Sequence, residues 1–135
     1  MGKKAKGRIL AIDPGTKNIG VAISDPNLVI AFARPAIQNT PEGITTLIEL
    51  CQSEQVSTIV VGQLLIQGQH AINDTLKIQL QSKLPEIEFI DFNEDFSTQD
   101  AIEELKASGA SSEEIAEMKD SYAARKILEN YLAAT

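Results

Sequence analysis

The stretch Arg8 to Asp25, RILAIDPGTKNIGVAISD, limits the folds open to this chain more than any other. Ile9 to Ile12 is an apolar run with no polar break, and it ends abruptly in Asp13. Pro14-Gly15 then makes a turn that neither a helix nor a strand continues through. Ile19 to Ile23 resumes the apolar run. The pattern predicts a strand, a tight turn and a second strand, with a carboxylate at the tip of a buried row. Such a carboxylate is costly unless something pairs with it. A cation, a metal carrying phosphate and the N–H groups of the turn are all open partners.

Leu28 to Ile37 reads as a third strand, and the short links predict an antiparallel meander. Thr40-Pro41 opens a helix, with Thr40 as N-cap and Ile44, Leu47, Ile48 and Cys51 as its apolar stripe. Cys51 lies in that stripe and reads as core filler. Ser57 to Gly62 is a β-branched run of the kind buried on both faces of a sheet. Gln63 to Ala71, with the single histidine His70, reads as a loop; a helix is expected over Ile72 to Leu84 and a fifth strand over Glu86 to Phe92. Ser97-Thr98-Gln99-Asp100 resembles a capping box before a helix that Gly109 stops. A last helical stretch runs from Ser111-Ser112 to about Leu132, with an interruption expected near Lys119. The order predicts an α/β fold, a mixed five-stranded sheet with helices on both faces, in a single domain over residues 1–135. Residues 1–7 are expected to form a flexible basic N-terminus.

Composition narrows the function classes. Hydrophobic content of 43% argues for a folded globule. One cysteine allows no internal disulfide. The apolar run behind the basic start is too short and too soon broken to be a signal peptide or a membrane span, so a cytoplasmic protein is expected. Residues 1–70 carry six basic and five acidic side chains, whereas residues 71–135 carry six and fourteen. That balance counts against tight non-specific nucleic-acid binding, unless Lys3, Lys4, Lys6, Arg8, Lys17 and Arg34 cluster locally.

With 19 acids present, the informative ones stand where acids are not expected. Asp13 shares strand parity with Ile9 and Ala11. Asp120 can be placed from helix geometry. Relative to it, Ala124 lies about 40° away, Ile127 about −20° and Tyr131 about 20°. Asp120 therefore sits at the centre of an apolar stripe, unless Lys119-Asp120 begins a new helix and Asp120 only caps it. Glu94 follows the fifth strand and shares parity with Ile90 and Phe92. Three carboxylates at one end of a sheet suit a hard divalent ion, Mg²⁺ or Mn²⁺, one or two of them. Zinc has no Cys/His cluster here, and a Ser/His/Asp triad has one histidine to draw on.

At these residues the chain resembles the YqgF family, the Holliday junction resolvase-like proteins also described as pre-16S rRNA nucleases. Ala11 to Asp25, AIDPGTKNIGVAISD, is similar to the family's opening strand-turn-strand almost position for position. Ala33-Arg34-Pro35, Ile59-Val60-Val61-Gly62, Asp120-Ser121 and Ile127 to Leu132 also match. The resemblance implies a ribonuclease H-like fold and a metal-dependent nuclease. Asp13, Glu94 and Asp120 would be its catalytic, metal-binding acids, and Lys17 and Arg34 candidate phosphate contacts. It implies ribosomal RNA 5′-end maturation, with a branched DNA junction as the other substrate. Two departures stand out. The family's Asp-Glu-Arg is Asn93-Glu94-Asp95 here, and its Leu-Pro loop after Gly62 is Gln63 to Gly68. Losing an arginine and gaining an acid weakens phosphate contacts, so a nucleic-acid-binding module with a weakened site stays open. So does a phosphate-binding turn like that of actin-like ATPases, although those folds need two such domains.

Overall fold

The computed structural model describes residues 7–15, 17–63, 69–93, 106–109 and 111–134. The elements in chain order are β1 (Arg8–Pro14), β2 (Asn18–Ser24), β3 (Ala31–Gln38), α1 (Pro41–Ser53), β4 (Val56–Gln63), α2 (Gln69–Lys83), β5 (Glu88–Asn93) and α3 (Ser112–Ala134). They build one five-stranded sheet in the order β3-β2-β1-β4-β5. The first three strands pair antiparallel, as their short links require, while β4 and β5 join β1 in parallel through helical crossovers. The mixed sheet expected from the sequence is the one observed.

Side chains alternate across this sheet and so build two cores. Leu10, Ile12, Val21, Ile59 and Val61 face α1 and α2, where they meet Leu47, Cys51, Leu76 and Leu80. Ile9, Ala11, Ala22 and Val60 face the other way, against Ala124, Ile127 and Leu128 of α3. Each fully buried aliphatic side chain contributes about 1.5–3 kcal/mol. Central β1 feeds both layers, which is why its apolar run has no polar interruption. Gly62 of β4 lies directly under Ile127; a Cβ there would overlap the isoleucine Cδ1. Small residues on the sheet thus let α3 lie close.

Four expectations change. The third strand starts at Ala31, not Leu28. Leu28 has φ of 61°, and the Asp25 carboxylate accepts the N–H groups of Asn27, Val29 and Ile30, which holds a tight loop where a strand was expected. His70 belongs to the first turn of α2 rather than to a loop. Helix α3 runs unbroken through Lys119, so Asp120 is not an N-cap. Arg8 and Lys17 do not form one basic patch. Arg8 opens β1 beside Glu54 at 3.6 Å, and Lys17 follows the other end of that strand. Five strand steps from Arg8 to Asp13 span roughly 17 Å. The Thr40 cap is as expected, its hydroxyl accepting the Gly43 N–H at 3.0 Å. The capping box at 97–100 and most of the helix after it lie outside the described residues, as do Lys3, Lys4 and Lys6.

Candidate functional site

The carboxyl end of β1 is where the sheet delivers a charge. Asp13 continues the row of Ile9 and Ala11, so it stands on the face that α3 covers, and it is half-buried. Its partner on β2 is Gly20. The β1–β4 register aligns Ile12 with Val61, so the next step sets Asp13 level with Gly62, and Gly62 aligns with Phe92 on β5. Neither neighbouring strand places a side chain beside the carboxylate. Phe92 in turn meets Tyr131 of α3 edge-on, with ring centroids 5.8 Å apart.

Helix α3 is tied to this same end. The Val21 N–H donates to the Ser121 hydroxyl at 3.2 Å, and Ser121 is fully buried. Val21 pairs with Ile12, one residue before Asp13. The β2–β3 register shifts between Ile19 and Val21, opposite a stretch of the edge strand that includes Pro35. A shift of this kind loosens the ladder, and proline is tolerated at such a place because it needs no N–H partner. Ser121 supplies the Val21 N–H with an acceptor from outside the sheet. Ala124 and Ile127 are completely buried on the sheet side of α3, and the backbone of Asp120 shares that azimuth. The Asp120 side chain is outside what is described. Glu94 also lies outside the described residues; β5 ends at Asn93, level with Gln63 of β4.

The turn after Asp13 is braced from elsewhere in the chain. Gly15 N–H donates to the Asn18 carbonyl at 2.9 Å, closing the turn tightly. A Cβ on Gly15 would sit 2.7 Å from that carbonyl oxygen, so the close approach requires glycine. Asn39, on the link from β3 to α1, donates its Nδ2 to the Gly15 carbonyl at 2.7 Å and its N–H to the Lys17 carbonyl at 2.8 Å. Lys17 is exposed on the rim of this turn. Arg34 is level with Ile12, but its partner Val21 packs against α1, so its register faces away from the Asp13 side of the sheet.

Ion pairs elsewhere are peripheral. Lys77 meets Asp91 at 2.9 Å on exposed ground, and Arg125 lies 4.1 Å from the Tyr122 ring centre and 3.5 Å from Glu129. Exposed pairs of this kind contribute about 0–1 kcal/mol. Among the described residues no three His, Cys, Asp or Glu side chains group to hold a metal, a set that contains neither Glu94 nor the Asp120 side chain. Cys51 packs in the other core, and burial pushes its thiol up to about 12, so it offers no thiolate. The donor described at the carboxyl end of β1 is the Asp13 carboxylate, a hard oxygen ligand of the kind a divalent ion such as Mg²⁺ takes. Ser121 and Asn39 were not singled out from sequence as parts of the site. A serine inside the apolar stripe of α3 was the available signal for the first. Asn39 carries none, because its partners are carbonyls distant in the chain.

The chain matches the model of the family described as RuvX: Holliday junction resolvase over residues 7–134. It belongs to that family. A protein of Malacoplasma penetrans named "Putative pre-16S rRNA nuclease" is 34% identical over 134 residues, covering 94% of each chain. One of the same name from Maridesulfovibrio salexigens is 33% identical, covering 93% of this chain and 98% of the other. Among solved structures, T. thermophilus RuvC in complex with a Holliday junction substrate aligns with a TM-score of 0.55 and 14% identity over 95% of this chain and 94% of that one. Fowlpox virus resolvase with Holliday junction DNA aligns with a TM-score of 0.60 and 13% identity, covering 94% and 97%. These two likenesses establish the ribonuclease H-like fold of the family. Nucleases of this kind generally use divalent metal ions. Among the described residues, no helix is long and apolar enough to cross a membrane.

Proposed function

We propose that this RuvX-family hydrolase cuts phosphodiester bonds of precursor 16S ribosomal RNA at its 5′ end, in the cytoplasm, with Mg²⁺ or Mn²⁺ held by Asp13, Glu94 and Asp120. The observation that carries the reading is the meeting of Asp13 and α3 at the carboxyl end of β1. Ser121 bonds to β2 one register step from Asp13, which supports Asp120 as its neighbour in a shared site. The RNA substrate is favoured because the relatives at 33–34% identity carry the pre-16S rRNA nuclease name, while the junction-bound structures are only 13–14% identical.

When bound, a divalent ion supplies Lewis acidity toward phosphate and water. The chain's own part would be to orient the three carboxylates toward one point. Asp13 does so from the central strand β1, level with Gly20 and Gly62. Lys17 on the turn meets a phosphate further along the strand. Arg34, on the other side of the sheet, reaches a phosphate only around the β3 edge.

Purified protein should cleave a short RNA spanning the 5′ leader of 16S rRNA when Mg²⁺ or Mn²⁺ is added, and Asp13→Asn should not. A four-way DNA junction is the parallel substrate. Preferential junction cutting would move the assignment to DNA. Binding of either substrate without metal-dependent cutting would mean a binding module with a weakened site, which the acid at Asp95 also favours.

A further inference from the structure

Among the described residues, the buried polar side chains are Ser24 and Ser121. Each accepts a strand N–H through its hydroxyl, Ser24 from the end of β2 within the sheet and Ser121 from α3 outside it. Ser24 accepts the Ile9 N–H at 2.9 Å near the amino end of β1, and Ser121 accepts the Val21 N–H at 3.2 Å near its carboxyl end. A buried hydroxyl needs its hydrogen bond, and the Val21 N–H needs an acceptor beside the register shift. That explains why a polar residue is tolerated on a helix stripe otherwise made of Ala123, Ala124, Ile127 and Leu128. It does not explain the place. The apolar side chains of α3 hold it to the sheet, with Ile127 seated over Gly62, but such contact is non-directional and sets the helix's height along its axis less sharply than a hydrogen bond does. A hydrogen bond is directional. This one joins the residue immediately after Asp120 to the strand position paired with the residue immediately before Asp13.

We propose that Ser121 is a positioning residue: by holding the Val21 N–H it fixes the height of Asp120 relative to Asp13. The role rests on the metal reading of those two acids. Ser121 itself touches neither metal nor substrate. Its effect is on geometry, since a helix free to shift by a fraction of a turn presents its carboxylate at the wrong distance for an ion that Asp13 also holds. Ser24 is the internal control, being an equally buried serine with the same bond at the other end of the same strand pair.

The test is Mn²⁺ binding to the full chain without nucleic acid, followed by the electron paramagnetic resonance signal of free Mn²⁺. Melting temperatures are measured alongside in chelator. Ser121→Ala and Ser24→Ala should lower the melting temperature by similar amounts. Ser121→Ala should weaken Mn²⁺ binding by about tenfold, the low end for a residue that orients a ligand. Ser24→Ala should leave binding at the wild-type value. Equal Mn²⁺ affinity in the two alanine variants overturns the positioning role. Asp120→Asn separates the two ideas. If it abolishes binding while Ser121→Ala does not weaken it, the positioning role alone falls. If Asp120→Asn binds like wild type, the metal reading falls and takes the positioning role with it. Ser121→Cys keeps the volume but leaves only a weak acceptor, and it carries the same expectation should the alanine chain fail to fold.

Discussion

Asn39 donates its side-chain amide to the Gly15 carbonyl at 2.7 Å across 24 residues of sequence. That bond, with the backbone bond from Asn39 to Lys17 at 2.8 Å, ties the turn after Asp13 to the base of α1. The tip of the turn is exposed at Lys17 and Asn18, so these bonds act with the Gly15–Asn18 backbone bond to hold its shape. Asn39→Ala should therefore destabilise the protein by about 1 kcal/mol, the usual worth of one such bond. The larger effect should fall on cleavage. A carboxylate displaced by a fraction of an ångström costs about tenfold or more in kcat, with KM little changed. Urea unfolding and steady-state cleavage of the RNA substrate check the two halves. Wild-type kcat in the variant would show that the sheet alone holds Asp13.

Gly62 and Ile127 make a second pair that can be tested by compensation. A methyl group on Gly62 enters the space of the Ile127 Cδ1, and that atom is absent from valine. Gly62→Ala should cost about 1–3 kcal/mol by overpacking. Ile127→Val alone should cost about 0.5–1.5 kcal/mol. Together they should cost clearly less than the two separate losses, because the valine vacates what the alanine fills. Additive losses in a double-mutant cycle would mean that α3 does not bear on β4 through this contact.

These relationships show what the sequence could and could not disclose. The two-layer sheet was legible because β1, β2 and β4 are apolar on both faces and short links force the meander. The place of Asp13 at the end of the β1 row was legible for the same reason: it is a charge in an apolar periodicity. Leu28 to Ile30 misled because they alternate like a strand, while the Asp25 carboxylate accepts the Val29 and Ile30 N–H groups and the Asp25 carbonyl accepts that of Leu28, which makes a loop. Asp120 could not be separated from an N-cap by pattern alone, since the continuity of α3 depends on packing against the sheet. Ser121, Asn39 and the facing of Arg34 depend on register and on contacts distant in sequence. No local pattern encodes them.

Asp25 gives a prediction in pH. The Ile30 N–H foremost, with those of Val29 and Asn27, holds its carboxyl below the usual 3.8. The folded state thus binds the proton less readily than the unfolded chain. The stabilisation is fully present above the usual carboxylate value and is lost as pH falls below it through the lowered folded value. Asp25→Asn should be less stable than wild type at neutral pH, and the difference should shrink as pH falls from about 5 to about 2. Chemical denaturation across that range measures it. A difference that does not change with pH would show that shape, not charge, holds the loop.

Cys51 is 1% exposed and its thiol is raised to about 12 by burial. Thiolate is the reactive form, so both access and ionisation oppose attack. A chromogenic disulfide reagent at pH 8 should label the native protein only at the rate of unfolding, and should label the urea-unfolded chain at once. Rapid labelling of the native chain would place α1 ajar from the sheet.

Metal linkage supplies the last test. An ion that binds only the folded chain adds about 2.7 kcal/mol at a hundredfold its dissociation constant. Wild-type protein should therefore melt several degrees higher in excess Mn²⁺ than in chelator. Asp13→Asn should lose that increment, because Asp13 is one of the three carboxylates proposed to hold the ion, and the one carried by central β1. A Mn²⁺-dependent rise of equal size in both proteins would place the ion away from Asp13, and the nuclease mechanism with it.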